Sequence, residues 1–331
     1  MKRIACAAIF VVVLASFGFA EGSKSGTSLE LQGDYEFPNH EAVDANGLVP
    51  IVYGISAGAS GERDVGSSWG GAEAKAIIDH KLVFPVFAGE SALTRDNNIA
   101  LDLSGEISPV SLNANFQATL SPIAFLKFAA GAGVGTGWSI GFVGLGINDA
   151  GTIEPQNFGG LVYRAWVEAT FQFDLAAVMP GMWNHVVILA SPKIQYQAYT
   201  GASSDQAWIW EADHGMNFNG TKLTGSYLLG YQMPIALNLA GLLLQTEGWL
   251  GSVRDLSPKA SGWGSDFSYL TFGPLFDFKI GDRSTIAVLP QFKTGIQWTD
   301  STKRKLNFMD RVYADSYTYF YRIAIDYTLE L

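Results

Sequence analysis

The chain has 331 residues, of which 48% are hydrophobic, 16% charged and 13% aromatic, with 37 glycines. High hydrophobicity excludes a disordered chain, and low charge excludes a Glu- and Lys-rich coiled coil. A formal charge of -10 excludes a basic nucleic-acid footprint.

Lys2 and Arg3 precede an apolar run, Ile4 to Phe19, and Gly18 and Ala20 supply the small residues of a cleavage site. Residues 1–20 therefore read as a secretory signal peptide. The single cysteine, Cys6, lies inside it, so the mature chain has no disulfide framework. Residues 21–46 read as a periplasmic N-terminal segment, with part of another strand as the alternative, and 47–331 as one barrel domain. Beyond residue 20 no apolar run reaches the roughly twenty residues of a transmembrane helix. The best, Ile235 to Leu244, contains Asn238. If the chain spans a membrane, it must do so as a closed β-barrel.

Period-two alternation runs along the chain. In order, the segments Gly47–Ser60, Ala72–Phe87, Asn97–Ile107, Val110–Leu120, Ile123–Gly137, Gly159–Leu175, His185–Thr200, Gly220–Met233, Ile235–Thr246, Phe267–Ile280, Thr285–Thr299 and Ser316–Leu331 read as strands. The expected fold is all-β: a transmembrane antiparallel up-and-down barrel of about 12 strands, with 10 or 14 as alternatives. Many of these segments are longer than the ~5–6 residues usual for globular strands. Ile235–Thr246 is less regular, because Leu242 and Leu244 share a face with Asn238. In the last strand Tyr317, Tyr319, Tyr321, Ile323, Ile325, Tyr327, Leu329 and Leu331 fall on one face. The tyrosines at its start read as part of an aromatic girdle. Links alternate between short ones, such as Ser121-Pro122 and Gly281 to Ser284, and longer ones, such as Trp138 to Phe158 and Gly201 to Asn219. Membrane barrels pair short periplasmic turns with longer outer loops in this way.

Charge placement supports lipid rather than a soluble core. The apolar faces carry no Asp, Glu, Lys or Arg, and His80 is their one group that titrates near neutral pH. The opposite faces carry the residues expected to line a lumen: Asp79, Lys81, Asp102, Lys127, Arg164, Glu168, Lys193, Lys222, Asp277, Lys293, Arg322 and Asp326. With Glu73, Lys75, Glu106, Asp174, Lys279 and Glu330, which share these faces, basic and acidic groups balance at nine each, which leaves the surplus negative charge mainly to the loops and the N-terminal segment. Twelve tilted strands enclose a backbone radius of about 12 Å, and side chains leave a lumen on the order of 10 Å wide.

The ending Tyr319-Phe320-Tyr321-Arg322-Ile323-Ala324-Ile325-Asp326-Tyr327-Thr328-Leu329-Glu330-Leu331 resembles the C-terminal strand of bacterial outer-membrane barrel proteins, with Leu in place of the usual terminal Phe. The resemblance implies that Tyr327, Leu329 and Leu331 belong to the signal read by the barrel-assembly machinery. The run Pro122 to Phe128 followed by Gly135-Thr136-Gly137-Trp138 is similar to barrel proteins of spirochaetes.

The expected function is a small, weakly selective diffusion channel for hydrophilic solutes in the bacterial outer membrane, with acidic mouths mildly favouring cations. The alternative is a closed barrel displaying loops for adhesion or ligand binding, with Trp208, Trp210 and Glu211 as contact residues. In a filled barrel the wall charges would pair across the interior. Expected partners are outer-membrane lipid, the assembly machinery and small hydrophilic solutes, with no nucleic acid. No enzymatic role, cofactor or metal is expected. None of the four histidines sits in a catalytic motif, and Glu211, Asp213 and His214 read as solvated loop charges rather than ligands.

Overall fold

The computed structural model describes residues 23–37, 71–140, 143–149, 152–211, 217–259, 264–298 and 313–331. Twelve strands form a closed barrel in which each is hydrogen-bonded to its neighbours in sequence. They are β1 (Lys24–Glu36), β2 (Gly71–Pro85), β3 (Asn98–Ile107), β4 (Ser111–Ile123), β5 (Leu126–Gly137), β6 (Val162–Asp174), β7 (His185–Tyr199), β8 (Gly220–Gln232), β9 (Leu237–Trp249), β10 (Tyr269–Lys279), β11 (Ser284–Trp298) and β12 (Tyr313–Glu330). All pairings are antiparallel, and β1 closes the wall by pairing with both β2 and β12. Among the described residues no helix is long and apolar enough to cross a membrane.

The closing strand is where sequence and structure part. Lys24–Glu36 lies within the segment expected to be periplasmic, yet it is a wall strand, in register with β12 from Ser28↔Glu330 to Glu36↔Arg322. Its outward side is thin, with Leu29, Leu31, Gly33 and Tyr35 between polar neighbours, so its alternation is faint. Gly47–Ser60, expected as the first strand, and the signal peptide at 1–20 lie outside the described residues.

Successive side chains point to opposite faces of the wall. Ile78, Ile107, Val167, Leu229 and Leu242 project outward and are more than half exposed. So continuous an apolar surface is incompatible with water and suited to lipid. His80 also faces outward, where its Nδ1 is 2.9 Å from Thr27 Oγ1 on the paired strand.

Two bulges change which residues face the lumen. Between Leu237 and Leu239 the β9–β10 register shifts. Asn238 thereby turns inward to donate to Asp277 Oδ2 at 2.8 Å, while Leu242 and Leu244 stay outside. In β12, Gln291 pairs with Arg322 but Phe292 pairs with Phe320, so Tyr321 is an inserted residue. Below it Ile323, Ile325, Tyr327 and Leu329 face outward as expected. Above it the parity inverts, and Tyr319 and Tyr317 sit opposite the lumen residues Lys293 and Gly295. The tyrosines are therefore not the lipid girdle. That role falls to a stripe of phenylalanines, Phe37–Phe320–Phe292–Phe272, with ring centroids 4.9, 5.3 and 5.8 Å apart.

The start of β1 and the end of β12 lie at one end of the barrel, the turn end, where short links such as Ala124-Phe125 and Ile280 to Arg283 also sit. The opposite, loop end carries the long links, except for the tight Ser108-Pro109-Val110 connection. Two of these loops are structured together. The short strands 146–149, 152–155 and 208–209 form a three-stranded sheet that joins the β5–β6 loop to the β7–β8 loop.

Candidate functional site: the barrel lumen

The β7–β8 loop enters the barrel mouth. Trp208 is 1% exposed and Trp210 5%, both clustered with Leu145, Ile147, Val162 and Tyr199. This burial overturns the expectation that Trp208, Trp210 and Glu211 form an exposed binding surface. Their polar neighbours in sequence suggested a solvated loop, but their indoles fill the loop-end interior. Asp213 and His214 lie outside the described residues. Asp205, exposed on the same loop, is held below the usual carboxylate range by the Ser203 hydroxyl, which donates to it at 2.8 Å.

Glu211, at φ 57°, belongs to this inward strap. Its carboxylate takes a hydrogen bond from Asn113 Nδ2 at 2.9 Å, another from Ser111 Oγ, and an ion pair with Lys75 Nζ at 3.2 Å. A row of glycines makes room for these groups. On β5 the lumen-facing positions 131, 133, 135 and 137 are all Gly, and a Cβ there would strike Trp166, Asn115, Asn113 and the Val110 carbonyl, with Trp210 next to it. The bare strand lets side chains of its neighbours lie flat across it.

From Glu211 a polar belt runs along the wall. Lys75 also approaches Glu106 at 3.9 Å, and Glu106 accepts from Asn115 at 2.6 Å. Arg164 donates to Asn113 and Asn115 at 3.4 and 3.3 Å. Across the barrel Arg322 pairs with Asp34 at 2.6 Å and donates to Gln291 at 2.7 Å, and Gln291 donates to Gln245 at 3.1 Å. Lys222 pairs with Glu247 at 2.6 Å. Lys293 lies over the rings of Tyr321 and Tyr269, at 4.5 and 5.4 Å from their centroids.

Two cavities flank the belt. One, of about 650 Å³, is bounded by β2 to β8 and brings together Lys81, Asp102, Lys127, Glu168 and Lys193. The other, of about 350 Å³, lies toward β8 to β12 and gathers Lys222, Glu247, Tyr269, Lys293, Tyr321 and Arg322. Both are lined by Thr224, Gly225 and Ser226 of β8, so they adjoin along that strand. Asp79, Asp277 and Asp326 lie outside both cavities; Asp326 is in register with Gln32, and Asp277 binds Asn238. At the same end His185 Nδ1 is 2.7 Å from Asp174 Oδ2.

The lumen is more acidic than the sequence suggested. β1 contributes Glu30 and Asp34, β9 reaches Glu247 beyond the expected end of its strand, and Glu211 arrives from the loop. Such residues could be found in sequence only by extending the alternation upstream to residue 24 and beyond Thr246. Glu211 had no local signal, because its partners are about a hundred residues or more away in the chain.

Tyr327 and Leu329 face outward against Leu31 and Leu29 of β1, and the Leu331 N–H donates to the Thr27 carbonyl at 2.9 Å. The three residues thus lie on the seam that closes the barrel.

A closed wall with an apolar outside and a hydrogen-bonded polar inside defines a β-barrel of the outer-membrane type. No family model and no curated protein matches the chain. Among solved structures the chain is similar to the KdgM porin, at TM-score 0.38 and 7% identity over 92% of this chain and 99% of that one. It is similar to the NanC porin at TM-score 0.39 and 7% identity, over 92% and 100%. It is also similar to the beta domain of the Bordetella autotransporter Brka, at TM-score 0.39 and 7% identity, over 92% and 98%.

Proposed function

We propose that the protein is a small diffusion channel in the bacterial outer membrane, passing hydrophilic solutes with weak selectivity. The observation that carries this reading is the pair of adjoining polar cavities inside a wall whose outer face is apolar. A wall built only to display loops needs no wet interior, and the aromatic loop residues expected to do the displaying are buried.

The mechanism is passive. Hydroxyl, amide and charged groups replace part of a solute's hydration shell, and no single group holds it tightly enough to stop it. Glu30, Asp79, Asp277 and Asp326 give the turn end an acidic sector, which favours cations mildly among simple ions. The strap at Glu211 sets the limit on solute size. A channel rather than an enzyme also suits the two described histidines, since His80 is engaged by Thr27 at the lipid face and His185 by Asp174 at the turn-end rim.

Liposome swelling tests the reading. Vesicles carrying the folded barrel should swell in arabinose and glucose and progressively less in di- and trisaccharides. Swelling no faster than in protein-free vesicles for any of these sugars refutes it.

A further inference from the structure

The larger cavity carries more than a generic polar lining. Three lysines face two carboxylates there, and both carboxylates are committed. Asp102 holds Lys81 at 3.1 Å. Glu168 accepts the hydroxyls of Ser191 and Thr170 and is the cross-strand partner of Lys193, whose ammonium lies over the Trp166 ring at 5.0 Å. Lys127 is left over. Among the described residues it has neither a hydrogen-bond acceptor nor a carboxylate partner. Gln117, Thr119, Ser121 and Gln172 surround the space with amides and hydroxyls.

We propose that this cavity is a binding subsite for small polyhydroxylated carboxylates, with Lys127 receiving the carboxylate and the amides and hydroxyls of β4 and β6 receiving the solute's hydroxyls. The proposal rests on the channel reading and gives it a substrate class. A volume of about 650 Å³ suits a solute of sugar-acid size. An ammonium with no protein anion gains most from an anionic guest, because the guest supplies the charge-assisted hydrogen bonds that the fold withholds. The adjoining cavity keeps a weaker basic bias: Lys222 pairs with Glu247 and Arg322 with Asp34, while Lys293 lies over the rings of Tyr321 and Tyr269. A carboxylate leaving the first cavity past Thr224 and Ser226 next meets Lys222 and Lys293, and Asp79, Asp277 and Asp326 line neither cavity.

Calorimetry on the detergent-folded barrel, with gluconate and sorbitol as probes, tests the subsite. The two have the same carbon skeleton and differ at the carboxylate. Gluconate should bind, more weakly as salt is raised, and sorbitol should not bind at the same concentrations. Lys127→Gln should weaken gluconate roughly fivefold or more, and Lys127→Arg should restore it. Equal affinity for both solutes, or no dependence on salt, overturns the proposal. So does full gluconate affinity in a Lys127→Gln variant that folds. The wild-type comparison stands alone if the variant does not fold. Gluconate should also block the current of the reconstituted channel. A barrel that binds gluconate but neither conducts nor swells vesicles refutes the channel and leaves the subsite. A conducting barrel that ignores gluconate does the reverse.

Discussion

Replacing Glu211 with Gln should loosen the strap without unfolding the barrel. The Lys75–Glu211 pair is 3.2 Å long, with side chains 18% and 9% exposed. At that distance the attraction is about 5 kcal/mol for an effective dielectric near 20. Dehydrating both ions in a wet lumen offsets much of this, leaving a net contribution of about 2 kcal/mol. Glutamine still accepts from Asn113 and Ser111 through its carbonyl oxygen, but it turns an amide N–H₂ toward the Lys75 ammonium. A loss of about 2 kcal/mol shifts the seated-to-released equilibrium about 30-fold. Trp208 stays seated against Tyr199, Leu145 and Ile147, while Trp210, next to Glu211, comes free. Chymotrypsin reads this directly, since Trp210 is sheltered in the intact strap. Cleavage in the β7–β8 loop of the reconstituted variant should rise by about that factor. Lys75→Met should act similarly, and the double variant should be far from additive. A cleavage rate equal to wild type in Glu211→Gln would refute the latch.

Other substitutions test the wall. Val288 lies on the lipid face in register between Phe276 and Ile325. Val288→Arg should cost roughly 2–4 kcal/mol of folding stability in lipid, whereas Thr119→Arg on the lumen side should cost far less; urea titration in vesicles compares them. Gln291 is a poor lumen control, since it is 2% exposed and bridges Gln245 and Arg322. Deleting Tyr327 to Leu331 removes the turn-end part of the seam with β1, from Ser28↔Glu330 to Leu31↔Tyr327, and heat-modifiable migration in gels should show no folded barrel in membranes. Gly135→Val would put a Cβ on the Asn113 side-chain oxygen. It should release the Glu211 strap and raise chymotrypsin cleavage as Glu211→Gln does.

What the sequence made legible was periodicity. Eleven strands of the barrel overlap segments read from alternation. The outward faces of β6, β7 and the lower half of β12 follow from that alternation directly. What escaped it were features that depend on a partner. The Tyr321 bulge exists because β11 pairs in a shifted register, and nothing in the run Tyr317-Thr318-Tyr319-Phe320-Tyr321 marks the inserted residue. The strap escaped because Trp208 and Trp210 are ordinary loop residues until Leu145, Ile147, Val162 and Tyr199 receive them, with Trp210 beside Gly137 of β5. β1 escaped because two leucines among Glu30, Gln32 and Asp34 give a faint signal beside the long apolar runs downstream.

The central claim is that the polar interior conducts. Planar-bilayer recording of the purified, folded barrel tests it most directly. The account predicts stable stepwise currents whose reversal potential in a potassium chloride gradient lies only slightly on the cation side. A barrel shown to be folded and inserted that passes no current would contradict it.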